Sequence, residues 1–172
     1  MYALVVYESM YGNTRQIAEA IAEGLAERMR AEVVEVGAAP AVIAEDVALL
    51  VVGGPTHAFA MSRAGTRRSA AEDAPEGLVS RGIGIREWLS GLRTGSARLA
   101  AAAFDTRVAK PRLPGSAARG AANRLRRLGV RSAAPAHSFY VTGTKGPLLA
   151  GELDRARRWG ETLAASFPVP AS

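Results

Sequence analysis

The sequence predicts an α/β domain, a doubly wound sheet of five parallel strands with helices on both faces. Three observations carry this expectation. Short apolar runs of strand length alternate with segments whose apolar residues recur at helical spacing. One run, Val47 to Val52, contains no polar residue, as a strand buried on both faces requires. A chain of 172 residues with 48% hydrophobic content can also bury about 70% of its unfolded-chain surface in one core. No internal repeat or linker divides it, so residues 1–172 are expected to form a single domain.

The elements follow in order. Tyr2 to Tyr7 is the first strand. A helix from about Asn13 to Arg30 places Ile17, Ile21, Leu25 and Met29 on one stripe. Glu32 to Val36 is strand two. Gly37 to Asp46, with Pro40, has room for a turn or two of helix before strand three at Val47 to Val52. Gly53 to Gly82 reads as a long irregular stretch, and loops of that length in compact domains are generally functional or mobile. Ile83 to Leu92 is a short helix, Leu99 to Phe104 strand four, Asp105 to Pro114 a basic loop and Gly115 to Leu128 a helix with arginines outward. His137 to Val141 is strand five. A last helix spans about Leu149 to Ser166, followed by a frayed tail from Pro168 to Ser172.

Composition removes several classes of function. The chain has no cysteine, which excludes disulfides, thiolate metal sites and a cysteine nucleophile. No stretch approaches the ~20 apolar residues of a membrane span, and no basic segment precedes Ala3 to Tyr7. A cytoplasmic, monomeric protein without a membrane partner is the expectation. The formal charge of +6 is unevenly placed. Asp105 to Arg131 holds eight basic residues against one acid, whereas Met1 to Leu50 holds three arginines against eight acids. Such asymmetry bears on partners rather than on fold.

Open α/β sheets bind ligands beyond the carboxyl ends of their strands, at the topological switch point, so the loops after strands one, three and four form the candidate site. The first is Ser9-Met10-Tyr11-Gly12-Asn13-Thr14. It joins a strand end to a helix start, where free N–H groups and the positive end of the helix dipole favour an anion. Ser9 and Thr14 add hydroxyl donors, and Gly12 lets the backbone curl closely. A phosphate monoester suits this loop. The Walker spacing and its Lys-Ser/Thr ending are absent, as is a G-x-G-x-x-G dinucleotide loop. The alternative reading of the hydroxyl cluster is a plain helix N-cap.

The hexad resembles the phosphate loop of the flavodoxin family, with Tyr11 in place of a central threonine, as in flavodoxin-like quinone reductases. The resemblance spans nearly the whole chain. It includes Val51 to Phe59 (VVGGPTHAF) as a second flavin-contacting loop and Phe104 to Arg107 (FDTR) as a third. It implies a flavodoxin-like fold with FMN phosphate on Ser9 to Thr14. The ring would then lie between Gly54, Pro55, Thr56, His57, Ala58 and Phe59 on one side and Phe104, Asp105, Thr106 and Arg107 on the other.

His57 or Phe59 would stack on the ring, with His57 responsive near neutral pH. Tyr11 would flank the site. A Cβ at Ala58 disfavours positive φ there by about 1–2 kcal/mol. His137, Phe139, Tyr140, Trp88 and Trp159 are assigned to packing, and the strand position of Phe104 also suits the core.

The implied function is FMN-dependent electron transfer with a redox partner protein, acidic if the basic segment meets it. Two alternatives stand beside it: an NAD(P)H-dependent FMN quinone reductase, and an interaction module of this fold without cofactor. The chain departs from typical acidic flavodoxins in its basicity. Its third loop lacks a Tyr or Trp for the outer ring face, and its second loop is extended through Ser62 to Gly82, which can act as a lid. The arginines of Asp105 to Arg131 are not interleaved with aromatic stacking platforms, which argues against specific nucleic-acid binding.

Overall fold

A computed structural model of the chain describes residues 1–168. Beyond Pro168, the expected frayed tail lies outside the described residues. Five parallel strands form the sheet: β1 Tyr2–Tyr7, β2 Arg30–Glu35, β3 Val47–His57, β4 Ala100–Val108 and β5 His137–Val141. Their order across the sheet is β2-β1-β3-β4-β5. Arg131–Ser132 also pairs with Ala100–Ala101 on the edge that β5 occupies farther along β4.

Among the described residues the α-helices are α1 Asn13–Leu25, α2 Ala64–Glu72, α3 Ile85–Gly91, α4 Ala117–Arg127 and α5 Glu152–Ala165. Alternate residues of β1 and β3 enter opposite cores. Val5, Leu49 and Val51 join α1 and α5 through Ile17, Ile21 and Trp159. Leu4, Leu50 and Val52 join α3 and α4 through Trp88, Leu89 and Leu125. This two-sided burial explains the unbroken apolar run of β3.

Several boundaries differ from the sequence reading. Helix α1 stops at Leu25, so Arg30 opens β2. Gly37 to Asp46 contains the end of a short 3₁₀ turn, Val36–Ala38, and the two-residue strand Val42–Ile43, which pairs with Arg93–Thr94. Strand β3 continues past Val52 to His57, and β4 takes in Asp105 to Val108 from the expected basic loop. The supposed irregular stretch from Gly53 to Gly82 holds a hairpin, Thr56 and His57 against Met61 and Ala60, and all of α2. Helices α3, α4 and α5 are each shorter than expected.

Two close approaches set the geometry. Helices α1 and α5 touch backbone to backbone: a Cβ on Gly24 would lie 2.0 Å from the Arg157 carbonyl, and one on Gly160 would lie 2.2 Å from that of Ile21. The Phe104 ring crosses over Gly53, where a Cβ would come within 2.0 Å of it. The sheet register sets Tyr7 beside Gly53, and Gly53 beside Phe104. The loops after β1, β3 and β4 therefore leave the sheet along the same edge.

Candidate functional site

These loops bound a cleft of about 330 Å³. Its floor is the turn from β1 into α1. Gly12, with φ +96°, occupies the N-cap position in the left-handed region, and no side chain caps the helix. Glycine is favoured there because a Cβ penalises that conformation. Ser9 Oγ accepts from the Gly12 N–H at 3.1 Å. The N–H groups of Tyr11, Asn13, Thr14 and Arg15 meet no acceptor among the described residues. The plain N-cap reading therefore does not describe this turn: its hydroxyls leave the helix amides open, as an oxyanion site needs.

Of the residues expected here, Ser9, Met10, Tyr11, Asn13, Thr14, Pro55, Thr56, His57, Ala58, Thr106 and Arg107 line the cleft. The Thr14 and Thr106 hydroxyls, both buried, lie 2.7 Å apart, so one hydrogen bond ties the first loop to the third.

The structure places five others elsewhere. Gly12 shapes the turn without lining the cleft, and Gly54 lies behind it, beside Glu8 and Ile85. Phe104 is core, packed edge-on to Phe139 and Trp159. Asp105 is fully buried and turned toward α4. Its Oδ2 accepts from the Thr56 hydroxyl at 3.0 Å, the Ala118 N–H at 3.1 Å and the Ser116 hydroxyl, a carboxylate at the positive end of a helix. Phe59 is 51% exposed outside the cleft and therefore does not wall it.

The hairpin that carries His57 turns through Ala58 at φ 45° and Phe59 at φ 73°. Two consecutive positive φ values match the twist of a tight hairpin but are unusual without glycine or asparagine. Ala58 adopts positive φ despite the penalty expected from its Cβ, because pairing on both sides of the turn imposes it. The neighbouring Gly115 makes room: a Cβ on it would lie 2.1 Å from the Phe59 carbonyl.

His57 Nδ1 lies 3.1 Å from Thr66 Oγ1. That hydroxyl also meets the Arg63 N–H at 2.9 Å and the Arg63 carbonyl at 3.0 Å, so the imidazole is tied to the start of α2. Burial and the Arg67 charge hold its pKa below 6.5, so the ring is neutral at neutral pH.

Sequence reasoning gave Ser62 to Gly82 only as a loop able to act as a lid, and missed that its helix α2 forms one wall. Thr66, Ser69, Ala70 and Asp73 of α2 and its C-terminal cap face the cleft. Their spacing of i, i+3, i+4 and i+7 is a helical stripe of small and polar residues, the signal available in the sequence. The Tyr11 hydroxyl donates to the Ala70 carbonyl at 3.4 Å, fixing the first loop to this wall. Val108, Val141 and Thr144 complete the lining. The segment beyond α2 is fastened to the first loop: Val79 N–H donates to Met10 O at 3.0 Å, Ser80 N–H to Ser9 O at 2.7 Å, and Ser9 N–H to Ser80 Oγ at 2.9 Å. On the other flank, Asn13 Nδ2 donates to Lys145 O at 3.1 Å, and the Lys145 ammonium donates to the Asp73 carbonyl.

Among known proteins, residues 5–64 match the family model for flavodoxin. No curated protein sequence matches the chain. Solved structures share the fold over nearly its whole length. A flavodoxin from the domain Archaea superposes with TM-score 0.64 at 20% identity, covering 96% of this chain and 98% of the other. Oxidised flavodoxin 1 from Bacillus cereus gives 0.69 at 15%, covering 98% and 100%. A flavodoxin, WrbA-like protein from Agrobacterium tumefaciens gives 0.55 at 18%, covering 96% of each chain. At these identities the shared property is the doubly wound fold.

Proposed function

From a flavodoxin-like fold whose residues 5–64 match the flavodoxin family, we propose that this protein binds FMN in the 330 Å³ cleft and transfers electrons through it. The observation that carries the reading is the uncapped start of α1, where four N–H groups without acceptors among the described residues stand beside the Ser9 and Thr14 hydroxyls. A phosphate there gains hydrogen bonds and a favourable helix dipole.

The apolar groups of Ala58, Val108 and Val141 suit a flat ring system, and the polar stripe of α2 suits the linking chain. FMN supplies chemistry in which one or two electrons are accepted and released. The protein orients it, shields it from water and presents the neutral His57 imidazole beside it. The partner we propose is an acidic redox protein, drawn to the arginine-rich side by charge complementarity.

Calorimetric titration with FMN and with riboflavin tests the reading, together with the visible spectrum of the mixtures. The expected result is clear preference for FMN. Equal affinity for the two overturns the phosphate assignment, and binding of neither overturns the cofactor. A second reading, NAD(P)H-dependent quinone reduction, draws on the third loop, which presents Arg107 and Val108 to the cleft and no Tyr or Trp. Steady turnover of NAD(P)H with a quinone by the FMN-loaded protein would select it.

A further inference from the structure

A second concavity shares no lining residue with the cleft. It is a groove of about 240 Å³, floored by Met61 and Gly120 and lined by Arg63, Arg86, Arg124 and Arg127. The four guanidinium groups come from the start of α2, from α3 and from α4, so folding brings together charges far apart in sequence. Arg124 and Arg127, three residues apart on one helix, project to the same side.

Among the described residues, none of the four pairs with a carboxylate within 4.0 Å. Glu87 acts on Arg86 but is already held by Arg67. Burial, together with Arg63 and Arg124, depresses the Arg86 pKa, a sign of charges gathered without compensation.

Two of the four are also fixed before any ligand arrives. Arg86 Nη2 donates to the Met61 carbonyl at 2.8 Å and its Nε to the Ser62 carbonyl at 3.2 Å. Arg124 Nη1 donates to Ser90 Oγ at 3.1 Å. A guanidinium held in place loses less freedom on binding, and its remaining N–H groups form the fork that matches phosphate oxygens. At about 30 Å³ per liquid water, the groove has room for roughly eight waters, or for two linked tetrahedral oxyanions.

We propose that this groove binds a multivalent oxyanion of the phosphate class, the size of pyrophosphate or of the diphosphate end of a nucleotide. The site is independent of FMN. The repulsion among the four arginines, which no carboxylate within 4.0 Å offsets among the described residues, is relieved by the anion.

The test is calorimetric titration of the whole protein with inorganic pyrophosphate at constant ionic strength, with and without saturating FMN. With FMN bound, wild type is expected to bind one equivalent, and the Arg124→Gln/Arg127→Gln variant at least tenfold more weakly; without FMN the same site still binds. If that variant is misfolded by circular dichroism, Arg63→Gln, at an exposed position, takes its place with the same expectation. Absence of saturable binding overturns the proposal, as does equal affinity in the variant. Pyrophosphate binding that FMN abolishes also overturns it, because the anion then occupies the Ser9 to Thr14 turn. With the site established, tighter binding of ADP than of pyrophosphate identifies a nucleotide as the source, and equal binding identifies free diphosphate.

Discussion

Glu8 is the last residue before the candidate phosphate turn and is 1% exposed. Its Oε1 accepts from the Ile85 N–H at 2.8 Å and its Oε2 from the Ser62 hydroxyl. Burial pushes its pKa above 4.5, outweighing the opposing hydrogen bonds and the Arg67 charge. A carboxyl whose pKa is raised on folding stabilises fully below its unfolded value and loses that contribution as pH rises through the folded one. Urea unfolding should therefore show wild type losing stability relative to Glu8→Gln as pH rises from 4.5 toward neutrality; parallel curves would refute it.

The Thr14–Thr106 pair makes a second prediction. Thr14→Val leaves the Thr106 hydroxyl buried without that partner and should cost about 1–3 kcal/mol, while adding Thr106→Val should cost less than the two single changes summed. Strict additivity in unfolding measurements would count against the contact. The Ser9 to Thr14 turn was legible because its chemistry lies in six consecutive residues. Glu8 and Asp105 were not legible in their actual roles, since a carboxylate at a strand end carries no local sign that a distant helix N-terminus will sit on it.

At the scale of elements, the hairpin after β3 holds Ala58 and Phe59 in a conformation made for glycine. Ala58→Gly should stabilise the protein by about 0.5–1 kcal/mol, the relieved strain less the extra freedom of the unfolded chain, and Ala58→Val should destabilise it. Destabilisation by glycine would show that the turn is not strained. The α1–α5 crossing gives the opposite case. Alanine is the better helix former by about 1 kcal/mol, yet Gly160→Ala should cost at least about 2 kcal/mol because the Ile21 carbonyl occupies the place of the new methyl. Thermal unfolding with unchanged or higher stability would contradict the close packing.

The five main strands were readable from short apolar or aromatic runs of strand length, and four helices from spacing or composition. Helix α2 was hidden because its sequence, AGTRRSAAE, buries only Ala70 and so lacks an apolar stripe. The two-residue hairpin was hidden because its turn has neither glycine nor asparagine.

Across the whole molecule, the charge asymmetry read from the sequence takes a different form in space. Arg63 and Arg86 lie outside the basic segment Asp105 to Arg131, yet they share a groove with Arg124 and Arg127. A linear count of charge cannot locate such a patch, because it depends on which helices the sheet sets side by side. No helix among the described residues is long and apolar enough to cross a membrane, in line with the short apolar runs.

The three hydrogen bonds between residues 79–80 and 9–10 also bear on time. We predict that a ligand held by the first loop and α2 exchanges at the pace of local opening of this backbone seam rather than of side-chain rotation. The amides of Val79 and Ser80 then act as a clock for that opening: bound FMN should slow their deuterium uptake by the factor by which it stabilises the closed state, while uptake at the exposed end of α4 stays unchanged. Equal uptake at both amides with and without FMN would show that the cofactor enters and leaves with the seam intact.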